Sequence, residues 1–97
     1  MWILQGAGDE GGQLTFRVSP RSIKTVGRAR RADFVLDAAL VSRVHCRLEA
    51  GDEVLEVVDL ESTNGTFVND KRVTRARLVT GDRLRVGRVE LRVGQDD

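Results

Sequence analysis

The sequence predicts an all-β domain of about ten short, mostly antiparallel strands packed as a two-sheet sandwich or a small barrel. Three observations predict it. Apolar and polar residues alternate with period two, most cleanly in Gln13-Leu14-Thr15-Phe16-Arg17-Val18, in Val54-Leu55-Glu56-Val57-Val58, and in Arg83-Leu84-Arg85-Val86 followed by Val89-Glu90-Leu91-Arg92-Val93. Turn signals recur at short intervals between these runs: Ser19-Pro20, Ala50-Gly51-Asp52, Asn64-Gly65, Asn69-Asp70, Gly81-Asp82 and Gly87-Arg88. No stretch keeps a helical period for three turns, and the nearest, Ala38 to Leu48, is interrupted by Val41, Ser42 and Val44, which favour strands or turns.

Taken in order, a first strand occupies the opening residues 1–5, near 2–5, and the glycine-rich Gly6 to Gly12 makes a mobile hairpin tip. Strands follow near 13–18, 22–26, 34–36, 44–49, 53–59, 66–68, 71–73, 83–86 and 89–93, with Gln95-Asp96-Asp97 as a frayed tail. Gly27 to Asp33, Asp37 to Arg43 and Leu60 to Gly65 are then loops. Residues 1–97 form a single domain, without internal repeat or linker.

Composition narrows the function. The aromatic residues are Trp2, Phe16, Phe34 and Phe67 alone, so the core is aliphatic and little surface is left for stacking bases or sugars. The one cysteine, Cys46, excludes an internal disulfide and multi-cysteine zinc patterns, and fits a reducing compartment. With neither a signal peptide nor a membrane span in the sequence, the protein is expected in the cytoplasm. The formal net charge of +1 is unevenly spread: Arg21 to Arg47 carries seven basic residues against two acids, whereas Glu49 to Glu61 carries six acids and no base. That contrast suits a small anionic ligand bound at one spot better than a long polyanion.

Three polar clusters interrupt the alternation: Gly27-Arg28, Ser42-Arg43-Val44-His45 and Ser62-Thr63-Asn64-Gly65-Thr66. Each falls where a strand ends, and guanidinium, hydroxyl and amide groups are those that hold a phosphate and a peptide backbone. A turn origin competes at every one of them. Gly87-Arg88 repeats the first dipeptide in an ordinary turn, and Asn64-Gly65 is the strongest hairpin signal in the chain. His45, two residues from Arg43, is expected on the same side of an extended segment, and Cys46 on the other, which argues against a Cys-His nucleophile pair.

Together with Asp33-Phe34-Val35-Leu36-Asp37, Asp59-Leu60-Glu61, Phe67-Val68-Asn69, Gly81-Asp82 and Val86-Gly87, the clusters resemble in order and spacing the forkhead-associated (FHA) domain, from about Val26 to Val93. The resemblance implies an eleven-stranded β-sandwich that recognises phosphothreonine peptides through loops at one end. It implies Arg28, Ser42, Arg43, Thr63 and Asn64 as the phosphopeptide-binding residues, Asn64 pairing with the peptide backbone. It implies Gly27, His45 and Gly65 as structural support. Leu40, with Arg30 and Arg31, is the candidate reader of the third residue after the phosphothreonine, where Leu40 favours an apolar side chain. Glu61 and Asp70 stand where the family often has glycine.

The function expected is therefore a phosphothreonine-dependent peptide-binding module downstream of a Ser/Thr kinase. The alternative is a phosphate-independent scaffold on the same fold. No cofactor, metal or enzymatic activity is expected, because neither a paired-histidine site nor an activated nucleophile is visible. The partner is a Thr-phosphorylated protein or peptide, without nucleic acid or membrane, and the domain acts as a monomer.

Overall fold

A computed structural model describes residues 1–8 and 11–96. Among the described residues eleven strands follow one another: β1 (Trp2–Ala7), β2 (Gln13–Val18), β3 (Ser22–Gly27), β4 (Phe34–Val35), β5 (Cys46–Ala50), β6 (Leu55–Asp59), β7 (Thr66–Val68), β8 (Lys71–Val73), β9 (Arg75–Leu78), β10 (Arg83–Val86) and β11 (Val89–Gln95). They build a six-stranded sheet, β2-β1-β11-β10-β7-β8, and a five-stranded sheet, β4-β3-β5-β6-β9. Every paired neighbour is antiparallel except β3 with β4. Among the described residues no helix is long and apolar enough to cross a membrane.

Alternation in the sequence becomes two-faced strands. Trp2 and Leu4 of β1, Phe16 and Val18 of β2, Leu84 and Val86 of β10, and Leu91 and Val93 of β11 point inward from the larger sheet. Val26, Cys46, Leu48, Leu55, Val57 and Leu78 meet them from the smaller one. A fully buried leucine such as Leu48 or Leu84 stabilises the fold by about 2–3 kcal/mol. Phe16 of the larger sheet stacks on Phe34 of the smaller, ring centroids 4.6 Å apart and planes within 5°, closing one side of the sandwich.

Several expected boundaries move for identifiable reasons. A strand expected from 44 begins at Cys46, because the chain bends at Arg43 and Val44. The strand expected from 53 begins at Leu55, because Gly51 N–H closes a turn on Val54 C=O at 2.8 Å. β9 was not expected at all: in Arg75-Ala76-Arg77-Leu78 only Leu78 is a large apolar residue, too weak an alternation to read. The expected frayed tail is paired at Gln95, which lies opposite Trp2, and Asp96 N–H donates to Met1 C=O at 2.9 Å. Asp9 and Glu10 of the expected hairpin tip, and Asp97 of the tail, lie outside the described residues; Gly6 belongs to β1.

Asn64-Gly65 does not make a hairpin. The strands it joins, β6 and β7, belong to different sheets, so this loop crosses the sandwich. A tight hairpin does join β7 and β8 at the expected Asn69-Asp70 turn, where Asn69 (φ 51°) and Asp70 (φ 70°) both take the left-handed conformation that a two-residue turn of this kind requires. Asp70 and Glu61 (φ 56°), the two acids where the resembled family often has glycine, are thus both in backbone that glycine adopts at less cost.

Candidate functional site

Four connections meet at one end of the sandwich: residues 28–33, 36–45, 60–65 and the β10–β11 turn at Gly87-Arg88. The first two are held by continuing the β3–β5 pairing beyond its last ladder bond. Arg28 N–H donates to Ser42 C=O at 2.9 Å and Ala29 N–H to Arg43 C=O at 3.1 Å. Gly27 permits this approach, since a Cβ there would stand 2.1 Å from the Arg43 carbonyl oxygen. Arg28 Nε then donates to Val41 C=O at 3.1 Å, which fixes the plane of the guanidinium. Its two outer nitrogens have no partner among the described residues and remain as a fork of donors.

His45 joins the second loop to the third. Its Nδ1 accepts the Ser42 N–H at 3.1 Å, so its proton resides on Nε2, which donates to Gly65 C=O at 2.8 Å. The ring is fully buried, and each nitrogen holds one loop. Ser42 Oγ accepts the Thr63 N–H at 3.0 Å, and Asn64 Nδ2 donates to Leu40 C=O at 3.1 Å, so the two loops are laced at their rims as well. The Ser42 N–H is thereby occupied, and its hydroxyl proton is the donor it can offer a ligand. Leu40 is itself held at φ 71°, exposed, with its carbonyl turned toward Asn64.

Beneath the third loop, Asp59 Oδ1 accepts from Ser62 Oγ at 2.6 Å and Thr66 Oγ1 at 2.7 Å, and Oδ2 accepts the Ser62 N–H at 3.2 Å. Gly65 N–H donates to Ser62 Oγ at 3.0 Å, completing a compact knot. Burial opposes ionisation of Asp59, but the hydrogen bonds from Ser62 and Thr66 hold its carboxyl below the usual range. A carboxyl so depressed stabilises the fold at pH values above its unfolded pKa of about 3.9, and that stability is lost as pH falls through the lower folded value. Asp59→Asn should therefore cost about 1–2 kcal/mol at neutral pH. As pH falls through that lower folded value, the loss of wild-type stability from this carboxyl should bring the two proteins together. Urea melts at a series of pH values descending from 7 read this, and a gap that stays constant until the fold itself is lost to acid would show that the Asp59 charge does not hold the loop.

Of the residues expected to contact ligand, Arg28, Ser42, Thr63 and Asn64 line one open depression of about 620 Å³, completed by residues 37–41 with Leu40 among them. Arg43 does not line it. The bend at Arg43 and Val44 turns the Arg43 side chain to solvent while His45 is buried, so these two do not share a side as an extended segment would require. Arg30 and Arg31 are exposed on the neighbouring loop and also lie outside the lining. That loop is closed by Asp33, whose Oδ2 accepts from Thr25 N–H at 2.8 Å. Gly27, His45 and Gly65 are outside the lining, Gly27 and Gly65 being chain neighbours of Arg28 and Asn64 and His45 bonded to Ser42.

Two supports escaped the sequence reading. Asp59 ends the strand expected near 53–59, and its spacing to Ser62 is that of a carboxylate reaching a backbone N–H three residues on. Gly87 reads in the sequence as an ordinary turn, yet a Cβ there would stand 3.0 Å from Ala39 C=O, so the β10–β11 turn packs directly under the second loop. Only its φ of +63° and this contact distinguish it, and neither has a sequence signal beyond glycine itself.

The charge around the depression is unbalanced. Arg28, Arg30, Arg31 and Arg43 have no carboxylate in ion-pair range among the described residues, whereas Arg21, Arg47, Arg75 and Arg83 elsewhere are each paired. Cys46 is buried, and burial together with the nearby Asp59 charge pushes its thiol up to about 12. What the depression presents is a fixed guanidinium fork, two hydroxyls and an amide, with the Asp37 carboxylate also in its wall; the donors can bind and orient a tetrahedral anion attached to an extended chain.

The chain is similar over most of its length to proteins already known. The family model described as FHA domain matches residues 24–87. The glycogen accumulation regulator GarA of Mycobacterium tuberculosis is 35% identical over 83 residues, 79% of this chain and 51% of GarA. The FhaA FHA domain, solved in complex with the intracellular domain of Rv3910, superposes with a TM-score of 0.87 at 34% identity, covering 97% of this chain and 100% of that one. A structure from a study of phosphothreonine-dependent FHA domain interactions superposes with a TM-score of 0.84 at 32% identity, covering 99% of this chain and 97% of that one. The chain spans about half the length, or less, of the curated relatives it matches.

Proposed function

We propose, from the premise that this chain belongs to the FHA domain family, that it is a phosphothreonine-dependent peptide-binding module acting downstream of a Ser/Thr kinase. The observation that carries this reading is the convergence of Arg28, Ser42, Thr63 and Asn64 on one depression, although they come from three separate loops. The outer nitrogens of Arg28 and the Ser42 hydroxyl donate to the phosphate, and Thr63 borders it. Asn64, held by Leu40 through one amide N–H, keeps its carbonyl oxygen and second N–H for the peptide backbone. Arg43 contributes positive field from outside the depression. The module binds and releases without chemistry, works in the cytoplasm and acts as a monomer.

A few charge-assisted hydrogen bonds and a short backbone contact correspond to roughly micromolar affinity, about −8 kcal/mol. Calorimetric titration of one peptide as phosphothreonine, phosphoserine and unmodified threonine tests the reading. Phosphothreonine should bind best, with phosphoserine weaker by about tenfold for the missing methyl, and threonine undetected. Equal binding of all three would instead identify a phosphate-independent scaffold. The same peptide with Leu or Asp at the third position after the phosphothreonine reads the role of Leu40, and a preference for Asp would remove it as the specificity residue.

A further inference from the structure

Arg72 and Arg85 lie outside the lining of the depression, on the two strands that flank β7. Phe67 of β7 lies on the outer face of the six-stranded sheet, with Arg72 of β8 opposite it on one side and Arg85 of β10 opposite it on the other. The Arg85 guanidinium lies over the Phe67 ring, 4.2 Å from its centroid, and this cation–π contact holds a planar donor group flat against the surface.

Arg72 is held against the binding loop itself. Its Nε lies 2.8 Å from where a Cβ on Gly65 would stand, so the guanidinium rests on the bare backbone of the residue that follows Asn64. Any larger residue at 65 would displace it. Neither Arg72 nor Arg85 has a carboxylate in ion-pair range among the described residues. Arg83, two residues before Arg85 on the same face, is by contrast shared between Asp70 at 3.1 Å and Glu90 at 3.6 Å. Two positioned guanidiniums of like charge repel one another and add little to stability, whereas an anionic ligand placed between them gains from both.

We propose that Arg72 and Arg85 form a second anion-binding subsite. It takes an acidic side chain of the bound phosphopeptide where the peptide runs past Asn64 and Gly65 onto the outer face of the six-stranded sheet. This rests on the phosphothreonine reading above and adds a selection that the depression alone does not make. Carboxylates and a second phosphate share the required chemistry: a planar or tetrahedral anion able to accept from a guanidinium edge.

The test measures a ratio, so that any general change in affinity cancels. A phosphothreonine peptide with neutral flanks is compared with versions carrying a Glu-Glu pair walked outward along either side, and with versions carrying a second phosphothreonine there. Against wild type, one placement should bind about tenfold more tightly than the neutral peptide, with the advantage shrinking as salt rises. In R72Q/R85Q the ratio should fall to about one, and in R72E/R85E a Lys-Lys pair at that placement should become the favoured version. The Glu and phosphothreonine arms identify which anion the subsite prefers. If the neutral phosphopeptide binds and requires Arg28 but no placement improves it, the subsite is overturned and the phosphothreonine reading stands. If no phosphopeptide binds, both fall together.

Discussion

Arg28→Ala should weaken binding of a phosphothreonine peptide by about 100-fold or more while leaving the domain folded. The expectation follows from two charge-assisted hydrogen bonds, each about 1.5–3 kcal/mol, given by the outer guanidinium nitrogens that have no partner among the described residues. The fold loses only the Nε bond to Val41 C=O, worth about 1 kcal/mol. Arg28→Lys separates charge from geometry: it keeps the positive field but loses the fork, and should recover only part of the affinity. Titration of both variants with one peptide, with thermal melts as the folding control, reads the result. Undiminished binding by the alanine variant would move the phosphate site away from Arg28.

Gly27→Ala should destabilise the domain by about 3 kcal/mol, since its Cβ would stand 2.1 Å from a backbone oxygen that cannot rotate away. For a chain of this size that lowers the melting temperature by about 15 °C. Relief requires β3 and the 42–45 segment to separate, which would break the Arg28 N–H to Ser42 C=O bond and shift both groups. Affinity should therefore fall even at temperatures where the variant is folded. Gly6→Ala supplies the comparison, for its Cβ would stand 2.1 Å from Glu90 C=O, outside the depression. It should destabilise similarly and leave the affinity of the folded protein intact. Equal loss of affinity in both variants would mean that Gly27 has no special part in placing Arg28.

How much of this was legible in the sequence depended on how locally each feature is encoded. β2, β7, β8 and β10 were readable to the residue, because period-two alternation is written in consecutive side chains. β9 was not, because its stability comes from pairing with β6 and from Leu78 alone. Membership of the family was readable from ordered motifs, and the matched region agrees. The loop bases were less so. Arg43 and His45 are two residues apart, and only the bend between them, imposed by pairing with β3 and by the histidine's two partners, sends one outward and the other inward. The bracing role of Asp59 was not readable, because the Thr66 hydroxyl it accepts from lies across a loop, beyond the reach of spacing rules.

The pairing of β1 with β11 has a mechanical consequence. Met1 N lies 3.1 Å from Asp96 C=O, so the chain enters and leaves the sandwich at a single point. Gly87, just before β11, packs under the binding loops, and the seven residues of β11 then run away from them for about 20 Å. Met1 and Asp96 are consequently at the pole opposite the candidate site. Spliced into a loop of a host protein, the domain would ask that loop to open by only a few ångströms, and an anchor at either end would hold it like a flag by its pole, with the ligand-facing edge free to sweep the solution.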